Sequence, residues 1–66
     1  MAIEISLTMR SEGDAFAEGR APAEIARILR ELADAIADGA EGYIHLVDMN
    51  GNGCGRAMIE IWTDEE

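Results

Sequence analysis

The sequence predicts an α+β fold with the element order β-α-β-β, in which one helix packs on a three-stranded sheet. Apolar residues alternate along three short segments and recur with helical spacing along a fourth. A glycine-rich segment between the last two strands predicts a C-terminal β-hairpin. The 66 residues suffice for one small acidic domain, 1–66, and leave no room for a deep active-site cleft.

The first strand is predicted at the start of the chain, within MAIEISLTMR. Its alternating apolar residues are Ile3, Ile5, Leu7 and Met9. A period of two predicts a strand with one buried face. The next segment, SEGDAFAEGRA, keeps no period, and we expect a loop that Phe16 attaches to the core.

The helix is predicted to begin at Pro22 and to end before Gly39. Proline suits the first helical turn because its missing N–H has no partner there, and glycine is typical of the position after a helix. The apolar stripe between them consists of Ile25, Ile28, Leu29, Leu32 and Ile36. A helical crossover makes the first and second strands parallel, so the third strand is expected between them, in the spatial order 1-3-2.

The segment VDMNGNGCG joins the predicted strands GYIHLVDM and GRAMIEIW. Asp48, Asn50 and Asn52 match the opening of a calcium-binding EF-hand loop. That loop needs a glutamate at its twelfth position and a helix on each side. The twelfth residue is Ile59, Glu60 comes one place late, and both flanks have a strand period. The segment is therefore predicted to be a hairpin turn without a metal ion.

No combination of side chains in the sequence predicts catalysis. His45 is the single histidine and Cys54 the single cysteine, and neither has an orienting third group. One cysteine allows no internal disulfide and no multi-cysteine metal site. The glycine-rich turn lacks the Lys-Ser/Thr pair and the following helix of a phosphate-binding loop. We expect a protein that is not an enzyme and needs no cofactor.

Charge is the main indication of function. Fourteen Asp and Glu face five Arg and no Lys, and the formal net charge is −9. Repulsion between like charges argues against direct binding to nucleic acid or to an anionic membrane. Basic protein surfaces, above all those that bind nucleic acid, are the expected partners. With no leader peptide and no apolar run of ~18 residues, the chain is expected to be soluble and intracellular.

The carboxylates predicted to contact such a partner lie in the loop before the helix, along the helix and just after it. They are Glu12, Asp14, Glu18, Glu24, Glu31, Asp34, Asp38 and Glu41. At ~100° per residue, Glu24 and Glu31 share a solvent-facing strip with the later acids. Arg27 and Arg30 are placed to pair at i,i+4 with Glu31 and Asp34. Asp34 and Asp38 oppose the helix dipole, which disfavours each by ~0.3–1 kcal/mol, and this cost indicates a function other than stability.

The sheet face away from the helix has no predicted cover. Tyr43, Met58 and Trp62 lie on it, and exposed aromatic and Met side chains are typical of a contact surface. The chain is expected to be a monomer. A dimer through the Tyr43, Met58 and Trp62 face, or cover by the C-terminal tail, are the alternatives.

Three segments together resemble a family of very small proteins encoded by phages and mobile elements of bacteria. They are an acidic A-F loop, the helix EIARILRELADAI and the segment DMNGNGCGRAMIEI, and the resemblance covers roughly Ile3 to Ile61. Some proteins of this family are anti-CRISPR proteins, including inhibitors of type I-C systems. Gly53 and Cys54 depart from the Val or polar residue that such families have after the turn.

The resemblance implies a viral inhibitor in the cytoplasm of a bacterial host. Its carboxylates would replace DNA phosphates on a basic Cas subunit of a type I CRISPR surveillance complex. Glu31, Asp34 and Asp38 are ~5–6 Å apart along the predicted helix, close to phosphate spacing along one strand. Two other interpretations stay open: an acidic antitoxin or small regulator that masks a basic partner, and a structural phage protein that assembles through the Trp62 face.

Overall fold

The computed structural model describes residues 1–63, which form three strands, one α-helix and a short 3₁₀ helix. Their bounds are β1 Ala2–Met9, the 3₁₀ helix Asp14–Phe16, α1 Ala21–Ala37, β2 Gly42–Val47 and β3 Gly53–Trp62. Strand β3 pairs antiparallel with both neighbours, so the sheet order is β1-β3-β2. The α+β class, the β-α-β-β order and the central third strand are confirmed.

Local sequence sets both ends of α1. Pro22 lies in its first turn. At the other end Gly39 has a φ of 102° and donates to the Ile36 carbonyl oxygen at 2.9 Å. The Ala40 N–H donates to the Ala35 carbonyl oxygen at 3.0 Å. These two bonds form a Schellman motif, so the helix ends where the glycine predicts.

The core lies between α1 and the β2–β3 half of the sheet. Its buried residues are Ile28, Leu32, Leu46, Cys54, Ala57 and Ile59, with Met9, Phe16, Ile36 and Ile44 partly buried against them. Phe16 thus attaches the loop before the helix to the core, as predicted. The buried set draws on one flank of α1 and two of the three strands, so this core covers only part of the sheet.

Strand β1 departs from the sequence prediction. Its alternation predicts one buried face, yet Ile3, Ile5 and Leu7 are 61%, 55% and 44% exposed. The cause is the position of the helix, which packs over β2 and β3 and leaves the helix side of β1 uncovered. Ile25 and Leu29, on the flank of α1 that is turned toward β1, are exposed for the same reason.

Strands β1 and β3 continue as a two-stranded ribbon beyond Gly42, the first residue of β2. Gly42 pairs with Ile59, whereas the β1–β3 pairing extends to Ala2 and Trp62. The molecule is consequently 52 Å long but only 18 and 17 Å across. An elongated shape of this kind leaves much of the apolar surface of β1 in contact with water.

We predict that Gly55→Ala lowers the free energy of unfolding by about 2 kcal/mol or more. A Cβ on Gly55 would overlap the Thr8 carbonyl oxygen and lie 2.8 Å from the Met9 Cα. Gly55 pairs with Met9, so the overlap falls on backbone that cannot move without disturbing the β1–β3 ladder. Urea unfolding monitored by circular dichroism measures the loss.

Gly53→Ala is the matched control. In the described part of the chain, a Cβ on Gly53 would meet no heavy atom within 4 Å, and its φ is not in the left-handed region. The control should therefore change the free energy of unfolding by less than about 1 kcal/mol. Equal losses in the two variants would contradict a role for close strand approach at Gly55.

Candidate functional site

Seven of the eight carboxylates predicted to contact a partner are exposed. They are Glu12, Asp14, Glu18, Glu31, Asp34, Asp38 and Glu41, here named the acidic surface. Two of them lie on α1, two follow it, and three lie in the segment before it. Since α1 has 17 residues, it is about 25 Å long. The acidic surface therefore extends from one end of the helix to the other.

Glu24 is the exception, and the prediction that it lies on the solvent-facing strip is wrong. Its side chain is only 4% exposed. Arg27 donates from Nε to Oε1 and from Nη2 to Oε2, each at 2.8 Å, and the Met49 N–H donates to Oε2 at 2.7 Å. Because both oxygens are used inside the molecule, Glu24 has little capacity left for a partner.

Arg27 connects this buried carboxylate to its surroundings. Its Nη1 donates to Glu31 Oε2 at 2.7 Å, which confirms the predicted i,i+4 pair, and its Nη2 lies 3.4 Å from the Val47 carbonyl oxygen. The hydrogen bonds from Arg27 hold the pKa of Glu24 below its ordinary value, against burial and with help from the Met49 N–H. The same contact raises the pKa of Arg27. The charged pair thus fixes α1 to the turn after β2.

The C-terminal end of α1 carries the most available negative charge. Asp34, Asp38 and Glu41 are exposed there, and the last turn of the helix contains no basic residue. Within residues 1–63, ion pairs involve only three other carboxylates, those of Glu18, Glu24 and Glu31, so the prediction that Arg30 pairs with Asp34 is wrong. The helix dipole adds its own negative end at this position. The negative potential of the helix is therefore greatest at its C-terminus.

The acids of the loop before α1 are partly neutralised. Arg20 Nη2 lies 3.4 Å from Glu18 Oε1, and Arg20 Nη1 donates to the Asp14 carbonyl oxygen at 3.1 Å. Glu18 has a φ of 58° and Gly19 a φ of 82°, so the chain turns sharply just before the helix. This turn and the Arg20 contacts hold the loop acids near the helix N-terminus, apart from the C-terminal group.

The segment after β2 is a hairpin turn, as predicted. Asp48 Oδ1 accepts hydrogen bonds from the N–H groups of Asn50 and Asn52, both at 2.9 Å. Gly51 has a φ of 83° and donates to the Asp48 carbonyl oxygen at 2.9 Å. Ile59, at the twelfth EF-hand position, lies in the core. Among residues 1–63, no three His, Cys, Asp or Glu side chains come together as a metal-binding group.

His45 and Cys54 do not form a catalytic pair. Cys54 lies in the core, with its Sγ 3.6 Å from the Leu46 carbonyl oxygen. His45 is exposed and precedes the inward-facing Leu46, so its side chain is on the outer face of the sheet. Burial raises the pKa of the Cys54 thiol, and nearby carboxylates raise it further. A thiol that stays protonated at neutral pH is a poor nucleophile.

The outer face of the sheet is open over the described residues, as the sequence predicts. Tyr43 and Trp62 are exposed, and Met58 is half-buried opposite Tyr43. Arg10 and Arg56 lie beside one another near its turn end. The C-terminal tail invoked as a possible cover continues through 64–66, outside the described residues. This face combines exposed aromatic and basic groups with the carboxylates of Glu4 and Glu60, and so differs chemically from the acidic surface.

Two further findings bear on the kind of protein this is. Over residues 1–63, no helix has both the length and the apolar character needed to cross a membrane. Comparison with protein-family models, curated proteins and solved structures finds no match to this chain. The family resemblance therefore stays a prediction from the sequence, and function has to be argued from the surfaces of the molecule.

Sequence reasoning missed the pair formed by Glu24 and Arg27. On a helical wheel Glu24 is only ~40° from Ile28, at the border of the apolar stripe. A carboxylate at that border with a cation three residues later was a usable signal, because a buried charge needs a partner. The third member, the Met49 N–H, lies 25 positions further along the chain. No local pattern reveals such a contact.

We predict that Glu24→Gln lowers the free energy of unfolding at pH 7 and flattens its decline in acid. The folded-state pKa of Glu24 is lowered. Its stabilising contribution is therefore complete above the ordinary Glu pKa of ~4.3 and is lost as the pH falls through the lowered pKa. Urea unfolding at pH 7 and at a series of values below about pH 5 measures both effects.

Glu31→Gln is the control for this prediction, because it also removes a carboxylate from Arg27. The Glu31 side chain is 66% exposed, so its pair should contribute at most ~1 kcal/mol. The control should keep the acid dependence of the wild type. If Glu24→Gln shows the same pH profile as the wild type, the buried pair does not stabilise the fold as described.

Proposed function

We propose that this protein is a non-enzymatic inhibitor whose acidic surface binds a basic, DNA-binding surface of another protein. The observation that carries the proposal is the exposed charge of Asp34 and Asp38. Both oppose the helix dipole, and neither takes part in an ion pair with residues 1–63. A negative charge that lowers the stability of the helix is explained if it binds a cationic group of another protein. The net charge of −9 favours a basic partner.

The helix supports phosphate-like spacing of the carboxylates. Glu31, Asp34 and Asp38 follow one another at i, i+3 and i+7, so neighbouring side chains are ~5–6 Å apart. The ion pair of Arg27 with Glu24 at one end and the turn at Gly39 at the other end keep this part of the helix ordered. Preordered carboxylates lose less conformational entropy on binding than flexible ones, which favours affinity.

The partner that we propose is a type I CRISPR surveillance complex, of type I-C in the narrowest form of the proposal. This choice comes from the sequence resemblance, and the contact would lie on a Cas subunit that reads or holds target DNA. Such an inhibitor acts in the cytoplasm of a bacterial host and needs neither a cofactor nor turnover. An acidic antitoxin on a basic toxin would use the same surface, so the binding experiment includes it as an outcome.

We predict that Asp34→Lys and Asp38→Lys each weaken binding to the purified surveillance complex by about tenfold at low salt. The double variant should lose inhibition. Its free energy of unfolding should be unchanged or higher, since both substitutions remove the conflict with the helix dipole. Biolayer interferometry at two ionic strengths measures the affinity, and binding of the wild type should weaken as salt is added.

Glu60→Lys is the charge-matched control. It makes the same change of charge as Asp34→Lys, but on the outer face of the sheet. Binding by this control should stay within about threefold of the wild type. Normal binding by the double variant, or a larger loss in Glu60→Lys, would rule out the helix as the contact. Binding to a basic toxin and to no surveillance complex would favour the antitoxin.

A further inference from the structure

Strand β1 is an open edge of the sheet that lacks the usual protection. It pairs with β3 on one side only. Natural edge strands are commonly blocked by Pro, Lys, bulges or short length. Strand β1 reads AIEISLTM, with no Pro, Gly or Lys, and it pairs with β3 in unbroken register over all eight residues. A long, regular edge of this kind is ready to pair with another strand.

The backbone groups on this edge belong to apolar residues. The Arg10 N–H donates to the Cys54 carbonyl oxygen at 2.7 Å, in line with the β1–β3 register. Even-numbered residues of β1 therefore form the hydrogen-bonded pairs with β3. Because antiparallel pairs alternate, the N–H and C=O groups of Ile3, Ile5 and Leu7 point away from β3. An added strand would bond to these three residues.

The same side of the molecule holds an uncovered apolar groove. Leu7, Ile25 and Leu29 contribute to its walls, and its volume is about 490 Å³. The apolar stripe of α1 is centred near Ile25 and Leu32, whereas its buried arc is centred on Ile28, ~50° away on a helical wheel. Because α1 is turned about its axis by this angle, one apolar flank of the helix lies beside the uncovered side chains of β1. A second strand at the edge would extend the floor of this groove.

Charges on the outer face select the kind of strand that fits. Glu4 lies directly opposite Glu60 in the β1–β3 pairing, and like charges in that position are destabilising. Arg10 is exposed, directly follows the last residue of β1 and lies on the same face. None of these three residues takes part in an ion pair with residues 1–63. An antiparallel copy of β1 supplies an arginine to one end and a glutamate to the other.

We propose that a second copy of this chain pairs its β1 antiparallel with this edge, with Leu7 of each copy facing the other across a two-fold axis. Glu4 then faces Arg10 of the second copy, and symmetry forms this ion pair twice. Leu7 occupies a hydrogen-bonded position, as the direction of its backbone groups requires. The two sheets become one six-stranded sheet with both helices on the same side.

Other registers fit less well. A shift by one residue sets the apolar side chains of one copy against the polar side chains of the other. A register with Ile5 on the axis keeps the hydrogen bonds but places Glu4 opposite Ser6 of the second copy. With Leu7 on the axis, residues 4–10 of both copies overlap over about 23 Å. Charge complementarity therefore singles out the register with Leu7 at the centre.

Sedimentation equilibrium of the whole chain tests the proposal. The wild type should be a dimer at about 100 μM, and Leu7→Lys should be a folded monomer, since it puts two cations on the axis. Glu4→Arg and Arg10→Glu should each weaken the dimer about tenfold, and the two changes together should restore it. Arg30→Glu, which makes the same change of charge as Arg10→Glu but lies on an exposed position of α1, should dimerise like the wild type.

Cysteine cross-linking tests the register. In Leu7→Cys the two introduced residues lie ~5.5 Å apart between Cα atoms, which a disulfide can span. In Ile5→Cys they are about 14 Å apart and should stay reduced. Native Cys54 is buried in the wild type and should not take part in cross-linking. Mild oxidation should give covalent dimers of the first variant only.

Three results would overturn the proposal. They are a monomeric wild type at about 100 μM, a dimer that Leu7→Lys leaves intact, and a dimer in which Glu4→Arg with Arg10→Glu fails to restore association. The second result would move the dimer contact to another surface, such as the Tyr43 and Trp62 face. All three are independent of the proposed inhibitor function, because none of the varied residues belongs to the acidic surface.

Discussion

One buried ion pair determines how α1 lies on the sheet. Glu24 can occupy an apolar border of the helix only because Arg27 and the Met49 N–H bond both of its oxygens. These bonds hold the first half of α1 against the turn after β2. The helix then presents Ile28, and not the centre of its apolar stripe, to the core. The orientation of every other side chain on α1 follows from this rotation.

Two uncovered surfaces result, one charged and one apolar. The rotation takes Glu24 out of the acidic strip but leaves Asp34 and Asp38 facing water at the end of the helix where their charge is least favourable. It also turns Ile25 and Leu29 toward β1, beyond the reach of the small core. In the proposed dimer both helices lie on one side of a continuous sheet. Two acidic surfaces would then face a partner together, and such a pair suits an extended basic groove better than one helix does.

Local features of the fold could be predicted from sequence because each depends on neighbouring residues. Pro22 and Gly39 mark the helix, and the glycine-rich turn and the strand alternation mark the hairpin. The exposure of the apolar face of β1 could not be predicted, because alternation shows that a strand has an apolar face but not whether another element covers it. The environment of Glu24 depends on a backbone N–H 25 residues away. The exposure of Glu31, Asp34 and Asp38 followed from the helical wheel, whereas their binding function has to be tested.

The central claim is that the acidic surface and DNA compete for one basic site. Fluorescence anisotropy of labelled target DNA on a type I surveillance complex, with this protein titrated in, tests it directly. Competition predicts that bound DNA falls as the protein binds, and that saturating DNA weakens the protein's affinity by the same coupling factor. The account is contradicted if a ternary complex forms in which both affinities equal those measured alone.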